Sequence, residues 1–448
     1  MVPGQQRAPQ RTVAPCRCPC VLLAAYVAIF SSWLGYAKAE NLEVYFPPGV
    51  YGYDQQLGVT VLTRAHPGYE APGVRAGGFV ISPSLNQSAF YNSNFNGTPN
   101  SGTWGTTTSA SLSAFSDWTR DSLGGTLGVS HNQLFSFPNE NYTDWNVGIA
   151  GGYTIDENQL RAAYYHNSYH QLNTTLGAVQ SATPIADQTD TADLNYTFSF
   201  GRLNVTPDIS VSSYRYGTAT VANGLTQNLS FLNRNVLAGG VANRYSLNDE
   251  GGIVVVLRAL TSQYPNPQRG QPSNNSNSFL LLGGLDYQSK SVWRYRLLIG
   301  VEVREFQSPA FPTRTAPIAE GQLIWQPTEL TTVTGSLSRL IEDPQSAGTS
   351  GYILTNARVA VDHELRRDII LHGAIGVQYA QFLQGSAQSN FTTNIGAGWL
   401  INRNMQLSFS YYFTKQIGSS GTTTINPASI TTAAFSQNMV ALALHLAL

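Results

Sequence analysis

Charge is scarce in this chain. Only 11% of its 448 residues are Asp, Glu, Lys or Arg, against about 25% in an average soluble protein. Long apolar runs are missing too: after residue 40 nothing approaches the ~18 apolar residues that a membrane-spanning helix needs. Cysteine is confined to Cys16, Cys18 and Cys20, so the rest of the chain can form no disulfide and has no thiol chemistry. No GxSxG, HExxH, P-loop or paired-carboxylate motif occurs. His166 and His170 have a metal-like spacing, but they are expected in a long loop with no carboxylate close by in sequence. No catalytic residue, metal ligand or cofactor is therefore expected, and the chain does not read as an enzyme.

What is abundant is Gly (41), Tyr (23) and Phe (19), with many Asn, Ser and Thr. The N-terminus has the form of a cleaved signal peptide. Arg7, Arg11 and Arg17 supply a basic region, Val21 to Leu34 an apolar one, and Ala37-Lys38-Ala39 the small residues of a cleavage site. Cutting after Ala39 removes four of the 25 basic residues and none of the 26 acidic ones, leaving a net charge of −5. A chain of that charge is not expected to bind nucleic acid. The three cysteines precede the apolar stretch, whereas a lipidated cysteine would follow it.

From about residue 77 the hydrophobic period is two. In Trp293-Arg294-Tyr295-Arg296-Leu297-Leu298-Ile299-Gly300-Val301-Glu302-Val303-Arg304 the odd positions are aromatic or aliphatic and most even ones charged or small. On a strand these fall on opposite faces. The last residues put Val440, Leu442, Leu444, Leu446 and Leu448 on one face. Tight connections near residues 119, 156, 201, 249, 290, 327, 366 and 403 alternate with longer Asn/Ser/Gly/Pro-rich ones. A soluble sandwich has no reason to sort its loops in this way. Short turns on one side and long loops on the other mark an outer-membrane barrel.

The expected fold is all-β: a transmembrane antiparallel up-and-down β-barrel of about 16–18 strands, with short periplasmic turns and long extracellular loops. Residues 40–76 would form a periplasmic segment and 77–448 the barrel, closed by pairing of the last strand with the first. Closure is required because lipid offers no partner to an open sheet edge. Trp118, Trp145, Tyr153, Phe200, Tyr287, Trp293, Trp325 and Trp399 are expected beside the short turns as an aromatic girdle. Many outer-membrane strands end in Phe or Trp; this one ends in Leu.

If the greasy positions meet lipid, their neighbours face the lumen. That assigns inward Arg234, Arg244, Arg258, Asp286, Arg294, Arg296, Glu302, Arg304, Glu320, Arg358 and Asp362. The inverse would cost roughly 2–4 kcal/mol for each arginine at mid-membrane. Two roles stay open for this set, in which arginines outnumber carboxylates: ion pairs that fill and stiffen the lumen, or a surface that selects anionic or hydroxyl-rich solutes. His445 alternates inward as well.

The stretch TRAHPGYEAPGVRAGGFVISPSL (63–85), followed by Tyr91-Asn92-Ser93-Asn94, breaks the pattern with three prolines and four glycines. Its residues Arg64, Pro67, Tyr69, Glu70, Pro72, Gly73, Val74, Arg75, Phe79, Pro83, Ser84, Tyr91 and Asn94 resemble the leading segment of the outer-membrane β-barrel porins (beta-barrel porin 2 type) associated with bacterial exopolysaccharide and capsule loci. Asn92 stands where that family commonly has an acidic residue. The resemblance covers roughly residues 55–448. It implies a conduit in the bacterial outer membrane that exports exopolysaccharide or another surface polysaccharide, with outer-membrane lipid and periplasmic polysaccharide-export machinery as partners. A passive diffusion porin for small polar solutes has the same architecture, and an outer-membrane hydrolase or adhesin is the third reading. Arg64, Tyr69, Glu70 and Arg75 are expected to dock the leading segment at the periplasmic mouth.

Overall fold

The computed structural model describes residues 60–97, 100–179, 181–220, 225–268, 270–288, 292–343, 350–383, 387–418, 423–425, 428–430 and 434–448. The signal peptide expected at 1–39, and residues 40–59 after it, lie outside the described residues.

Period-two alternation resolves into eighteen long strands. The first nine are Phe79–Asn92 (β1), Thr103–Ser116 (β2), Ser122–Leu134 (β3), Tyr142–Ile155 (β4), Asn158–Gln171 (β5), Ile185–Phe200 (β6), Leu203–Tyr216 (β7), Arg234–Ser246 (β8) and Gly251–Gln263 (β9). The remainder are Ser276–Gln288 (β10), Trp293–Phe306 (β11), Arg314–Thr328 (β12), Thr331–Glu342 (β13), Tyr352–Arg366 (β14), Ile369–Phe382 (β15), Ala387–Asn402 (β16), Met405–Ile417 (β17) and Ser436–Ala447 (β18). Each pairs antiparallel with the next, and β18 returns to β1, so the sheet is a closed barrel. Strands of 12–16 residues at ~3.4 Å per residue are longer than a band of ~25 Å requires even when tilted. They therefore project beyond the membrane.

The seam shows how closure works. β18 covers β1 from Ser84, opposite Ala447, to Asn92, opposite Met439. Beyond the end of the chain the short strand Val74–Ala76 takes over, turning through Gly77 (φ 59°) to pair with Phe79–Ile81. At the junction the Leu448 N–H donates to the Pro83 carbonyl, 3.3 Å away.

Alternation along each strand sorts the two faces as lipid demands. On β11, Ile299 is 73% exposed while its neighbour Leu298 is fully buried. Trp293 stacks on Trp325 of β12 (centroids 5.1 Å, planes 9° apart). Together with Trp118, Tyr153, Phe200, Tyr287 and Trp399 they stand beside the short turns. Trp145 does not: it lies three residues from the long-loop end of β4, and with the exposed Trp104 of β2 it belongs to the opposite girdle. A strand carries its aromatics at both membrane boundaries, and sequence spacing alone assigned Trp145 to the wrong one. His166 and His170 are corrected in the same way. They sit within β5, not in a loop, where His166 Nδ1 meets Asp190 Oδ1 at 2.7 Å and His170 Nδ1 meets Asp144 Oδ1 at 2.8 Å. Among the described residues no group of three or more His, Cys, Asp or Glu could hold a metal ion.

Candidate lumen site

The barrel interior has two unlike arcs. On β16–β18 and β1–β3 the inward side chains are mostly small or uncharged: Gln388, Asn390, Gln406, Ser408 and Ser410 on one side, Ser109 and Asn132 on the other. They hydrogen-bond along the rows, as in Thr107 Oγ1 to Asn132 Oδ1 (2.8 Å) and Ser109 Oγ with Ser130 Oγ (2.9 Å). The charged arc runs over β6–β14. There the eleven charged residues named from the sequence all fall on the face opposite the exposed aliphatic residues.

Four groupings order these charges. Arg244 Nε donates to Asp286 Oδ2 at 2.6 Å, and Arg258 lies 3.6 Å from Asp208 Oδ2 while donating to Ser210 Oγ (3.0 Å). Asp362 meets His372 Nδ1 at 2.6 Å. The fourth grouping reaches across the charged arc from β8 to β13. Just past β13, Asp343 accepts from Arg304 Nη1 of β11 (2.9 Å) and from Ser262 Oγ of β9 (3.3 Å), and its Oδ2 lies 3.0 Å from Arg234 Nε of β8. Arg304 also donates to the Ile341 carbonyl (3.0 Å) and to Glu302 Oε1 (3.2 Å), and Glu302 accepts the Ile341 N–H (3.4 Å). Arg234 donates to the Tyr216 hydroxyl (3.2 Å) and covers the Tyr214 ring at 3.9 Å.

The remaining four are arranged differently. Arg294 donates to Gln326, Arg296 is opposite Asp286 in register, and Glu320 is opposite Leu298. Arg358 makes no hydrogen bond or ion pair within the described residues, and it is only half-buried. The balance of charge departs from expectation, because Asp193, Glu342, Asp343 and Glu364 are also buried on this arc, as is the side chain of Asp208. Sequence reading missed Asp343 because it lies where a loop was expected, and only the inward turn of Leu340–Asp343 gives it a role.

Other segments enter the lumen from the long-loop side. In the β5–β6 connection, Leu176 packs with Tyr352, Leu354, Ala380 and Phe382 of β14 and β15, and the Gly177 N–H donates to Gln388 Oε1 of β16 (3.0 Å). At the short-turn side the leading segment lies against β13–β16. Val61 is fully buried on Ile370 and Leu400 with Leu62 and Tyr69 beside it, and its N–H donates to Thr332 Oγ1 (2.9 Å). Arg64 pairs with Glu364 and donates to the Glu329 carbonyl (2.6 Å). His66 Nε2 lies 3.2 Å from the same Glu364 carboxylate. Burial first, and then the neighbouring Arg64, hold His66 below its ordinary pKa, so it docks as a neutral imidazole. Glu70 accepts the His66 backbone N–H, so it shapes the segment's own turn, and Arg75 pairs with Asp117 at the first short turn.

The recess of about 370 Å³ walled by Leu297, Leu323, Leu337, Val359, Ile375 and Phe391 opens on the lipid side. It suits hydrocarbon, and the polar chemistry lies on the other face of the wall.

Residues 66–438 match the sequence profile of the family described as "Putative beta-barrel porin 2". The chain belongs to the beta-barrel porin 2 family. Membership fits the closed barrel, its apolar outer belt and its two aromatic girdles, and places this porin in the outer membrane. No curated protein matches the chain. Among solved structures it is similar to Pseudomonas aeruginosa OpdK with vanillate (12% identity, TM-score 0.44, covering 82% of this chain and 99% of that one). It is also similar to Pseudomonas aeruginosa OccK2 (OpdF) (11%, 0.44, 83% and 98%). A third is the FrpB iron transporter from Neisseria meningitidis, F3-3 variant (9%, 0.41, 82% and 81%). Likeness at this level is one of outline and says nothing of cargo.

Proposed function

We propose that this porin is a passive channel for small hydrophilic solutes. The observation that carries this reading is the traffic of the chain's own segments across the long-loop half of the lumen. Gly177 reaches Gln388, and Asp343 reaches Arg234 and Arg304. A polymer would have to displace these contacts, whereas a small solute can pass beside them. Selection then follows from lumen chemistry: the neutral arc offers hydroxyl and amide groups, and the charged arc offers Arg244, Arg294 and Arg358 as its less buried cations. The leading segment, held by Val61, Arg64 and His66, narrows the periplasmic mouth along one side.

Export of a surface polysaccharide is the second reading. It draws on the hydroxyl- and amide-rich neutral arc, which suits a sugar chain, and would require both sets of inward segments to move aside. Purified protein in planar bilayers separates the two. Steady conductance without any partner is the expected result. A pore that stays closed until polysaccharide-export machinery is added would overturn the passive reading.

A further inference from the structure

Asp343 stands where an anion would bind. Its carboxylate lies between two buried arginines three strands apart on the charged arc, Arg234 of β8 and Arg304 of β11, and also accepts from the Ser262 hydroxyl. Around it are the Tyr216 hydroxyl, 3.2 Å from Arg234, and the Tyr214 ring under the same guanidinium. Two guanidinium groups with hydroxyls at the rim are the donor set that recognises an oxyanion. The carboxylate does not complete this set. Arg234 Nε is 3.0 Å from Asp343 Oδ2, yet that buried N–H has no aligned acceptor. A planar or tetrahedral oxyanion, free to turn, could align with both arginines at once.

We infer that Arg234, Arg304 and Ser262 form an oxyanion site in the lumen for which Asp343 is the resident, imperfect occupant. The ligand class is a small oxyanion, or the carboxylate, sulfate or phosphate group of a passing solute. Asp343 directly follows β13, whose last residues Leu340–Glu342 stay paired to β14, so it is the Asp343 side chain that a solute anion would displace from the arginines. An internal competitor lowers apparent affinity for the anion by the fraction of time the site is held. It thereby keeps a strong anion site from trapping its own cargo. This inference rests on the channel reading above.

Single-channel recording in planar bilayers tests it, with sulfate as the probe in a potassium chloride background. Asp343→Asn keeps the shape and removes the charge. The expected result is a shift of reversal potential toward chloride and block by sulfate at a concentration at least tenfold lower than in the wild type. Arg234→Gln, combined with Asp343→Asn, should abolish that gain. Asp343→Ser serves as a second route to the empty site, and the heat-dependent electrophoretic shift of folded barrels checks each variant. Unchanged selectivity and unchanged sulfate block in folded, conducting Asp343 variants would overturn the inference while leaving the channel reading intact. No conductance in the wild type or in any folded variant would overturn both.

Discussion

Val61 is the anchor whose loss can be sized from the structure. It is fully buried against Ile370 and Leu400, so Val61→Ala deletes two methyl-sized groups and leaves a gap that β15 and β16 cannot close. At about 0.8 kcal/mol for each buried carbon plus a cavity term, the loss is about 1.5–2.5 kcal/mol. The loss falls on docking of the leading segment and not on the barrel, because Val61 lies outside every barrel strand. It corresponds to a rise of roughly 10- to 60-fold in the undocked population, at about 1.4 kcal/mol per tenfold. Trypsin cleavage after Arg64 reads that population directly when opening is fast relative to cutting. Mass analysis of the fragment separates this cut from those at the exposed turns. The expected outcome is a cleavage rate raised by that factor, with the barrel's heat-dependent electrophoretic shift unchanged. Cleavage after Arg64 at the wild-type rate would refute the docking argument, since it would mean that the buried contact contributes nothing to holding the segment.

His66 gives the same segment a pH dependence. Its pKa is held below 6.5 by burial and by Arg64, with Glu70 opposing and the Glu364 carboxylate in contact. The undocked state thus binds the proton more readily, and docking is strongest above pH 6.5 and weakens as pH falls below it. Hydrogen exchange at residues 61–70, corrected for intrinsic rate, should quicken between pH 7.5 and 5, and His66→Gln should flatten that trend. On the outer wall, Ile299→Arg should cost roughly 2–4 kcal/mol at mid-membrane and lower the yield of folded barrel in lipid vesicles, whereas Ile299→Val should not. Gly300 faces inward where an added Cβ would lie 1.9 Å from the Leu281 carbonyl oxygen. Gly300→Ala should therefore lower the temperature at which the heat-dependent shift is lost, and an unchanged temperature would show that β10 and β11 can spread freely. Arg358→Gln should move the reversal potential toward cations with little loss of barrel stability, because no ion pair within the described residues is broken and no new charge is placed beside Asp362.

Most of the wall was legible because lipid imposes a rule on every second residue. In Trp293 to Arg304 a single slip would place arginines in hydrocarbon, so the inward set followed from alternation alone. The eight short turns were legible for a similar reason: each closes a hairpin with polar residues or with a left-handed one such as Asp156 (φ 53°) or Gly201 (φ 61°). Rim positions were not. Trp145 and His166 sit where the lipid rule stops, so polar and aromatic residues mix and β5 looked like loop. The interior was the least legible part. Asp343 meets Arg234 across 109 positions of chain, and Val61 meets Thr332 across 271. Such contacts depend on how segments fold into the lumen, and they leave no period in the sequence.

The divided edge of β1 has a consequence for how the molecule is built. Pro83 is the residue at which coverage passes from the C-terminal strand to the short N-terminal one. Its carbonyl is taken by Leu448, and its missing N–H would have pointed at that same last residue. The wall is thus finished by two segments far apart in the sequence meeting on one strand, and neither can finish it alone. Until β18 has paired, β1 keeps an open edge however well the other strands have paired. Pairing on β1 and closure of the wall are therefore the same event, and a barrel whose β18 is unpaired presents an open edge to lipid.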